Sequence, residues 1–293
     1  MQQGGATQAF FLPAAAGQRL CIFHRAAGAP VRGRIVYIHP FADEMNKARR
    51  MAAQQARAFA AAGYSVLQID LQGCGDSSGD FGDASWQGWI ADVLLACGWL
   101  RQIDDAHARA PLWLWGLRAG CLLAVEAATR LPEPSNFCFW QPPATGKLLL
   151  QQFLRLRLAA DMLQGNTKGL MDEMRQQLAR GESLEVAGYR LAPALAAGLE
   201  RATLQPGSLR AGRLAWFELG SRPEPALTPV AGQGVAQWRA AGWQVGALPV
   251  HGPAFWQTTE IEDAPALLAA TLAALQEETQ QEAEAAAEPL LST

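Results

Sequence analysis

The sequence predicts an α/β fold: a mostly parallel central sheet of about eight strands, flanked by helices and interrupted by one helical insertion. Three observations carry that prediction. Short apolar runs rich in β-branched and aromatic residues alternate with longer Ala-rich stretches through the first half of the chain. The strand signal stops near Pro142 and returns at Arg213, with helical periodicity in between. Glycines frame a short turn, Gly116-Leu117-Arg118-Ala119-Gly120, where an apolar strand meets a helix.

In chain order, GRIVYIH (Gly33 to His39) reads as a buried strand, because a parallel strand covered on both faces is apolar throughout. Asn46 to Ala62 reads as a helix whose polar face comes from Arg49, Arg50, Gln54, Gln55 and Arg57, with Gly63 placed to cap it. YSVLQID (Tyr64 to Asp70) is the next strand. The glycines of LQGCGDSSGDFGD make that segment a loop, after which Ser85 can cap a helix from about Trp86 to Leu100. PLWLWGL (Pro111 to Leu117) is the third clear strand, and its helix, Ala119 to Arg130, ends before Pro132. NFCFWQ (Asn136 to Gln141) is the fourth. KLLLQQFLRLRLAADML and LMDEMRQQLAR then carry helical spacing, RLAWFELG and WQVGALPV resume the sheet, and a helix from about Ala264 to Leu275 follows. The expected division is a core of residues 1–142 and 213–276, a helical lid over 143–212, and a mobile or frayed tail over 277–293.

Composition bounds the function. With 293 residues, half of them hydrophobic and 17% charged, the chain can bury a large core, which excludes general disorder. A net charge of −3 disfavours nucleic acid or an anionic membrane as the principal partner. Met1 to Leu12 lacks a positive n-region and a long apolar core, and no run of roughly 18 uncharged apolar residues occurs, so the expectation is a cytoplasmic protein with no transmembrane segment. Cys21, Cys74, Cys97, Cys121 and Cys138 are odd in number and widely spaced, and the histidines are scattered singly. Reduced thiols, no metal and no cofactor are expected.

The turn around Arg118 has the glycines of a G-x-S-x-G nucleophile elbow, a strained strand-to-helix turn that needs small neighbours, but its central residue is arginine. Upstream, Asp70-Leu71-Gln72-Gly73-Cys74-Gly75-Asp76-Ser77 matches the D-x-x-G-x-G-x-S loop common among α/β-hydrolases, and His39-Pro40-Phe41 stands where they carry an oxyanion-hole loop. The order of the motifs and the place of the insertion, between the sixth and seventh strands, resemble the α/β-hydrolase fold over nearly the whole chain. More closely, FADEMNKARRM, DLQGCGDSSGDF, LWGLRAG, WQPP-x-x-GK, QFLRLRLAADML and GPAFWQTTEIEDAPAL resemble the type 2 hydrolase-like proteins of exosortase A systems. That resemblance implies a bacterial context of exopolysaccharide production and PEP-CTERM protein sorting, and supplies no substrate.

Acyl transfer on this fold needs a nucleophile, a histidine to take its proton, an acid to orient the histidine, and donors for the oxyanion. A guanidinium has no acceptor and stays protonated, so Arg118 excludes the serine mechanism at this elbow. The acid position after RLAWFELG offers only Glu224, which by default is an ordinary loop residue. The histidine position after the last strand offers only His251, which precedes the turn it would have to occupy. Arg118 at a helix N-terminus opposes the helix dipole and needs a negative partner: Asp43, Glu44, Asp76, Asp80 or an incoming anion. The remaining pocket candidates are His39, Phe41, Lys47, Trp140 and Trp256, the tryptophans suiting a sugar ring or an acyl chain. Cys74, Ser77, Ser78 and Cys121 are alternative nucleophiles by residue type, with packing and turn roles as their ordinary explanation. Two readings stay open. One is a binding or accessory protein for a small anionic, acyl or glycan-related ligand, its protein partner unknown. The other is an atypical hydrolase of an ester or related acyl bond acting through a non-serine group.

Overall fold

The computed structural model describes residues 7–162 and 169–287. The chain opens with β1 (Thr7–Pro13) and β2 (Gln18–His24), an antiparallel pair, and continues through β3 (Gly33–Ile38), α1 (Asp43–Ala61) and β4 (Tyr64–Ile69). After a 3-10 turn at Phe81–Asp83 come α2 (Trp86–Arg101), α3 (Asp105–Arg109), β5 (Leu112–Leu117), α4 (Ala119–Ala128) and β6 (Ser135–Trp140). The segment between β6 and the next sheet strand holds α5 (Gly146–Met162), α6 (Leu170–Ala179), the hairpin β7 (Leu184–Val186) and β8 (Tyr189–Leu191), and α7 (Pro193–Arg201). β9 (Arg213–Gly220), α8 (Pro229–Ala240), β10 (Gln244–His251) and α9 (Pro265–Ala287) complete it.

Eight strands form one sheet in the order β1-β2-β4-β3-β5-β6-β9-β10. β1 and β2 run antiparallel, and every pairing from β4 through β10 is parallel. The central strands β3 and β5 are buried at every residue because helices cover both faces. Alternation divides them between two cores. Ile35, Tyr37, Trp113, Trp115 and Trp140 pack with Met51 and Phe59 of α1 and Leu267 and Leu275 of α9. Val36, Ile38, Leu114, Phe137 and Phe139 pack against Trp89 of α2, Leu122 of α4 and Trp238 of α8.

The expected strands and helices are present, with four corrections of detail. The segment over 143–212, expected to be helical, also carries the β7–β8 hairpin. β1 and β2 are strands that the sequence left unassigned. α1 begins at Asp43 rather than Asn46, so Asp43 and Glu44 belong to its first turn, where negative charge complements the helix dipole. The helix expected to end near Leu275 is continuous to Ala287, and the rest of the 277–293 tail lies outside the described residues. Among the described residues no helix is long and apolar enough to cross a membrane.

Candidate functional site

Parallel register brings the ends of β3, β5 and β6 together: Ile38 pairs with Gly116, and Leu117 with Trp140. Arg118 therefore emerges at the carboxyl edge of the sheet, flanked by His39 and Gln141. Its backbone has φ 54° and ψ −115°, a conformation that costs a non-glycine residue on the order of 1–3 kcal/mol. The surroundings hold it there. The Arg118 N–H donates to the Trp140 carbonyl at 3.0 Å, and the Cys121 N–H donates to the Arg118 carbonyl at 3.0 Å. A Cβ on Gly120 would stand 2.1 Å from the Ile38 carbonyl oxygen, and one on Gly116 would stand 2.5 Å from the Cys121 nitrogen. The elbow geometry holds with arginine at its centre because these two glycines let α4 start against the ends of β3 and β5.

The guanidinium is largely buried, its side chain being 10% exposed. Nη2 donates to Glu44 Oε1 at 3.0 Å and to Gln152 Oε1 of α5 at 2.8 Å, and Nε donates to Glu44 Oε1 at 3.2 Å. The Trp256 ring lies 5.8 Å from the guanidinium carbon. Glu44 thus supplies the negative charge that a cation at a helix N-terminus requires, from the first turn of the neighbouring helix. Burial raises the Glu44 carboxyl above its ordinary value, with the Arg118 charge and hydrogen bond pulling the other way. Gln257 donates to the same carboxylate at 3.5 Å.

Arg118 and Glu44 sit in a cavity of about 700 Å³, within the range of small-molecule sites. Phe41 and Trp256 wall it from the core, and Leu149, Phe153 and Leu156 of α5 and Tyr189 of β8 wall it from the insertion. Asp43 and Lys47 also line it, paired with each other at 3.1 Å. The four charges lining this cavity form two compensated pairs.

Comparison with known proteins gives the same architecture. A family model described as Hydrolase_4, serine aminopeptidase S33, matches residues 29–165, just under half of the chain. Est1E from Butyrivibrio proteoclasticus with bound ferulic acid superposes with a TM-score of 0.66 at 13% identity, covering 93% of this chain and 98% of that one. Proline iminopeptidase from Mycobacterium smegmatis gives 0.58 at 14% identity, covering 94% and 100%. The chain has the α/β-hydrolase fold. A curated relative, the uncharacterized protein RP471 of Rickettsia prowazekii, is 35% identical over 81 residues, 28% of this chain. The match spans 32% of that relative's length.

On an α/β-hydrolase scaffold the remaining sequence candidates distribute unevenly. Phe41, Asp43, Glu44, Lys47 and Trp256 line the cavity with Arg118. Glu224 and His251 do not. Glu224 is exposed on the loop after β9, and His251, exposed at the end of β10, has Nδ1 2.8 Å from the Arg222 carbonyl oxygen. In the loop after β10 it is Trp256 and Gln257 that approach Arg118 and Glu44.

Four further expectations need correction. His39 is a brace outside the cavity: Nδ1 donates to the Pro40 carbonyl at 2.8 Å and Nε2 accepts the Leu71 N–H at 3.2 Å, while burial holds its ring below the ordinary imidazole value. Trp140 faces the α9 side of the sheet, where Nε1 donates to Thr271 Oγ1 at 2.9 Å. Asp76 is exposed, and its backbone N–H serves Asp70, which Arg49 also holds at 2.8 Å. Asp80 stands at the start of the 3-10 turn, capping it.

The alternative nucleophiles are structural as well. Ser77 Oγ donates to the Asp70 carbonyl and accepts the Leu20 N–H, and Ser78 Oγ accepts the Gln18 N–H. All five cysteines are buried and free. Burial pushes the Cys21 and Cys97 thiols up to about 12 and the Cys74, Cys121 and Cys138 thiols up as well, which disfavours the thiolate a cysteine nucleophile needs. The sequence reading missed Gln152, Gln257 and Tyr189. Gln152 had a signal, an amide inside the leucine-rich run LLLQQFL. Tyr189 and Gln257 had no comparable signal.

Proposed function

We propose that this α/β-hydrolase-fold chain is a ligand-binding or accessory protein without serine catalysis, acting in the cytoplasm of a bacterium with an exosortase A and exopolysaccharide system. One observation carries the binding part: an arginine, held in the strained elbow conformation, contributes its guanidinium to a 700 Å³ cavity under the helical insertion. A strained backbone around a group with no nucleophilic capacity fits positioning of a bound molecule better than chemistry. The insertion then acts as a lid, contributing Gln152 to the arginine and apolar side chains to the wall. The exosortase context, and with it the cellular setting, rests on the sequence resemblance. The expected ligand class is small and anionic, acyl or glycan-related.

A fluorophosphonate label and a panel of p-nitrophenyl esters test the reading. Neither labelling nor turnover above background is expected, and Arg118→Ser is also expected to stay unlabelled, because among the described residues no histidine lines the cavity. Robust ester turnover abolished by Glu44→Gln, Cys74→Ser, Ser77→Ala or Cys121→Ser would instead establish an atypical hydrolase. Glu44 is the strongest of these alternatives, being a carboxyl that lines the cavity and whose protonated form burial favours.

A further inference from the structure

Arg118 lines a second cavity on the other side of its bond to Gln152. This one has a volume of about 440 Å³ and a different lining. Gln141, Gln205, Gln233 and Gln237 contribute amides, and Thr145 and Thr228 contribute hydroxyls. Its charges besides Arg118 reduce to Glu218, whose carboxylate accepts the Thr228 N–H at 2.7 Å and the Thr228 hydroxyl at 2.8 Å. Leu149, Gln152 and Arg118 line both cavities, so the two adjoin at the Arg118–Gln152 bond. One is aromatic and apolar, and the other presents amide donors and acceptors.

The charge at that junction is already spent. Glu44 neutralises Arg118, and Asp43 neutralises Lys47. An arriving carboxylate would meet the guanidinium with a second carboxylate beside it and would have to shed its own hydration for no net Coulombic gain. Nη1 of Arg118 has no acceptor among the described residues, and a neutral oxygen can take that position without displacing Glu44.

We infer that the two cavities form one site for an uncharged single-chain amphiphile. Its apolar chain lies among Phe41, Phe153, Leu156 and Trp256, its linking oxygen accepts from Arg118 Nη1, and its hydroxyl- or amide-rich head lies among Gln141, Gln233 and Gln237. The inference rests on the non-catalytic binding reading and narrows its ligand from the anionic, acyl and glycan-related classes to a neutral molecule with both an acyl-like and a hydroxylated part.

Calorimetric titration of the full chain near pH 7.5 tests it, using hexyl, heptyl and octyl β-glucoside below their aggregation concentrations, octanol, and sodium octanoate. Affinity is expected to rise about fourfold per added methylene, the value of a buried CH₂, with octanoate weaker than octyl glucoside by roughly tenfold or more. Leu156 and Gln237 are exposed, so changing them spares the core. Leu156→Trp fills the apolar half and should abolish the chain-length dependence. Gln237→Ala should weaken octyl glucoside about fivefold, the worth of one net hydrogen bond, and leave octanol binding unchanged. Octanoate binding as tightly as octyl glucoside, affinity independent of chain length, indifference to both substitutions, or no binding by any glucoside overturns the inference. Turnover of p-nitrophenyl octanoate would overturn the non-catalytic reading instead, leaving the neutral-ligand preference to be judged by the titrations.

Discussion

At the scale of single residues, the site is a question of what one buried cation requires. Arg118 sits where a helix dipole repels it, and Glu44, at the start of the adjacent helix, answers that requirement at 3.0 Å. Removing one partner of such a pair costs more than the pair contributes, because the other charge is left desolvated. Arg118→Ala is therefore expected to lower stability by about 2 kcal/mol near pH 7.5, below the fully buried case because Glu44 is 20% exposed. The sign of the pH dependence follows from Glu44. Burial already raises its carboxyl in the folded state, and deleting the arginine removes an influence that pulls it down. Between the unfolded and the raised folded value the folded protein holds more protons, so stability falls as pH rises through that window and recovers on acidification. Urea melts of the variant at pH 5 and pH 7.5 should show the larger deficit at pH 7.5, and Arg118→Leu with Glu44→Leu should recover most of it. A deficit independent of pH would mean that Glu44 is not the group left uncompensated. The sequence carried this residue-scale logic well: the need for a negative partner and its candidates were legible from the motif. It could not choose Glu44 over Asp43, Asp76 or Asp80, since that choice depends on where α1 starts and which way each loop folds back.

Elements explain why the elbow was readable and some strands were not. The elbow announces itself because two backbone approaches forbid a side chain, and glycine is visible in a sequence. Gly120 is the sharper case. A Cβ there would meet the Ile38 carbonyl oxygen at 2.1 Å, a backbone atom that cannot rotate away. Gly120→Ala is expected to cost upwards of about 3 kcal/mol or to abolish soluble expression, as overpacking against backbone does. Gly98, inside α2 with no atom beyond its chain neighbours and its own helix backbone within 4 Å of where a Cβ would stand, is the matched control. Gly98→Ala should stabilise by about 0.5–1 kcal/mol through helix propensity alone. Opposite signs in thermal melts check that crowding rather than glycine content fixes the elbow. β1 and β2 escaped the sequence because an antiparallel pair at the sheet edge is only half buried, and β1 is mostly exposed. Their apolar runs, AFFL and LCIF, are as long as the IVYI of β3, but no helical stretch separates them to complete the strand-helix alternation. β7 and β8, with three residues each, are too short to set a period. His39 and Trp140 were misplaced for a related reason. Both stand at strand ends on the correct sheet edge, but alternation turns one indole toward α9, and the histidine ring folds back on its own loop.

For the whole molecule, the chain order of strands, helices and insertion already specified the architecture, because a right-handed parallel sheet leaves few ways to connect them. What lay beyond the sequence is how the last helix closes the second face. Leu267 and Leu275 of α9 are fully buried against the same aromatic layer as Trp115 and Trp140. Tyr64 Oη donates to the Leu275 carbonyl at 2.8 Å, and Trp140 Nε1 donates to Thr271 Oγ1 at 2.9 Å. α9 thus ties β4 and β6, separated in the sheet by β3 and β5, to one cover. Thr271→Val keeps the shape and leaves a buried indole N–H unpaired, for an expected loss of about 1–3 kcal/mol. Ending the chain after Asp263 removes the α9 part of the cover and leaves α1 alone on that face, and the exposed aromatic side chains should leave no cooperative unfolding transition. If the truncated chain still melted cooperatively with a compact hydrodynamic radius, α9 would be an ornament on a self-sufficient sheet. The elbow, which hangs from the ends of β5 and β6, would then owe its geometry to α1, α2 and α4 without α9.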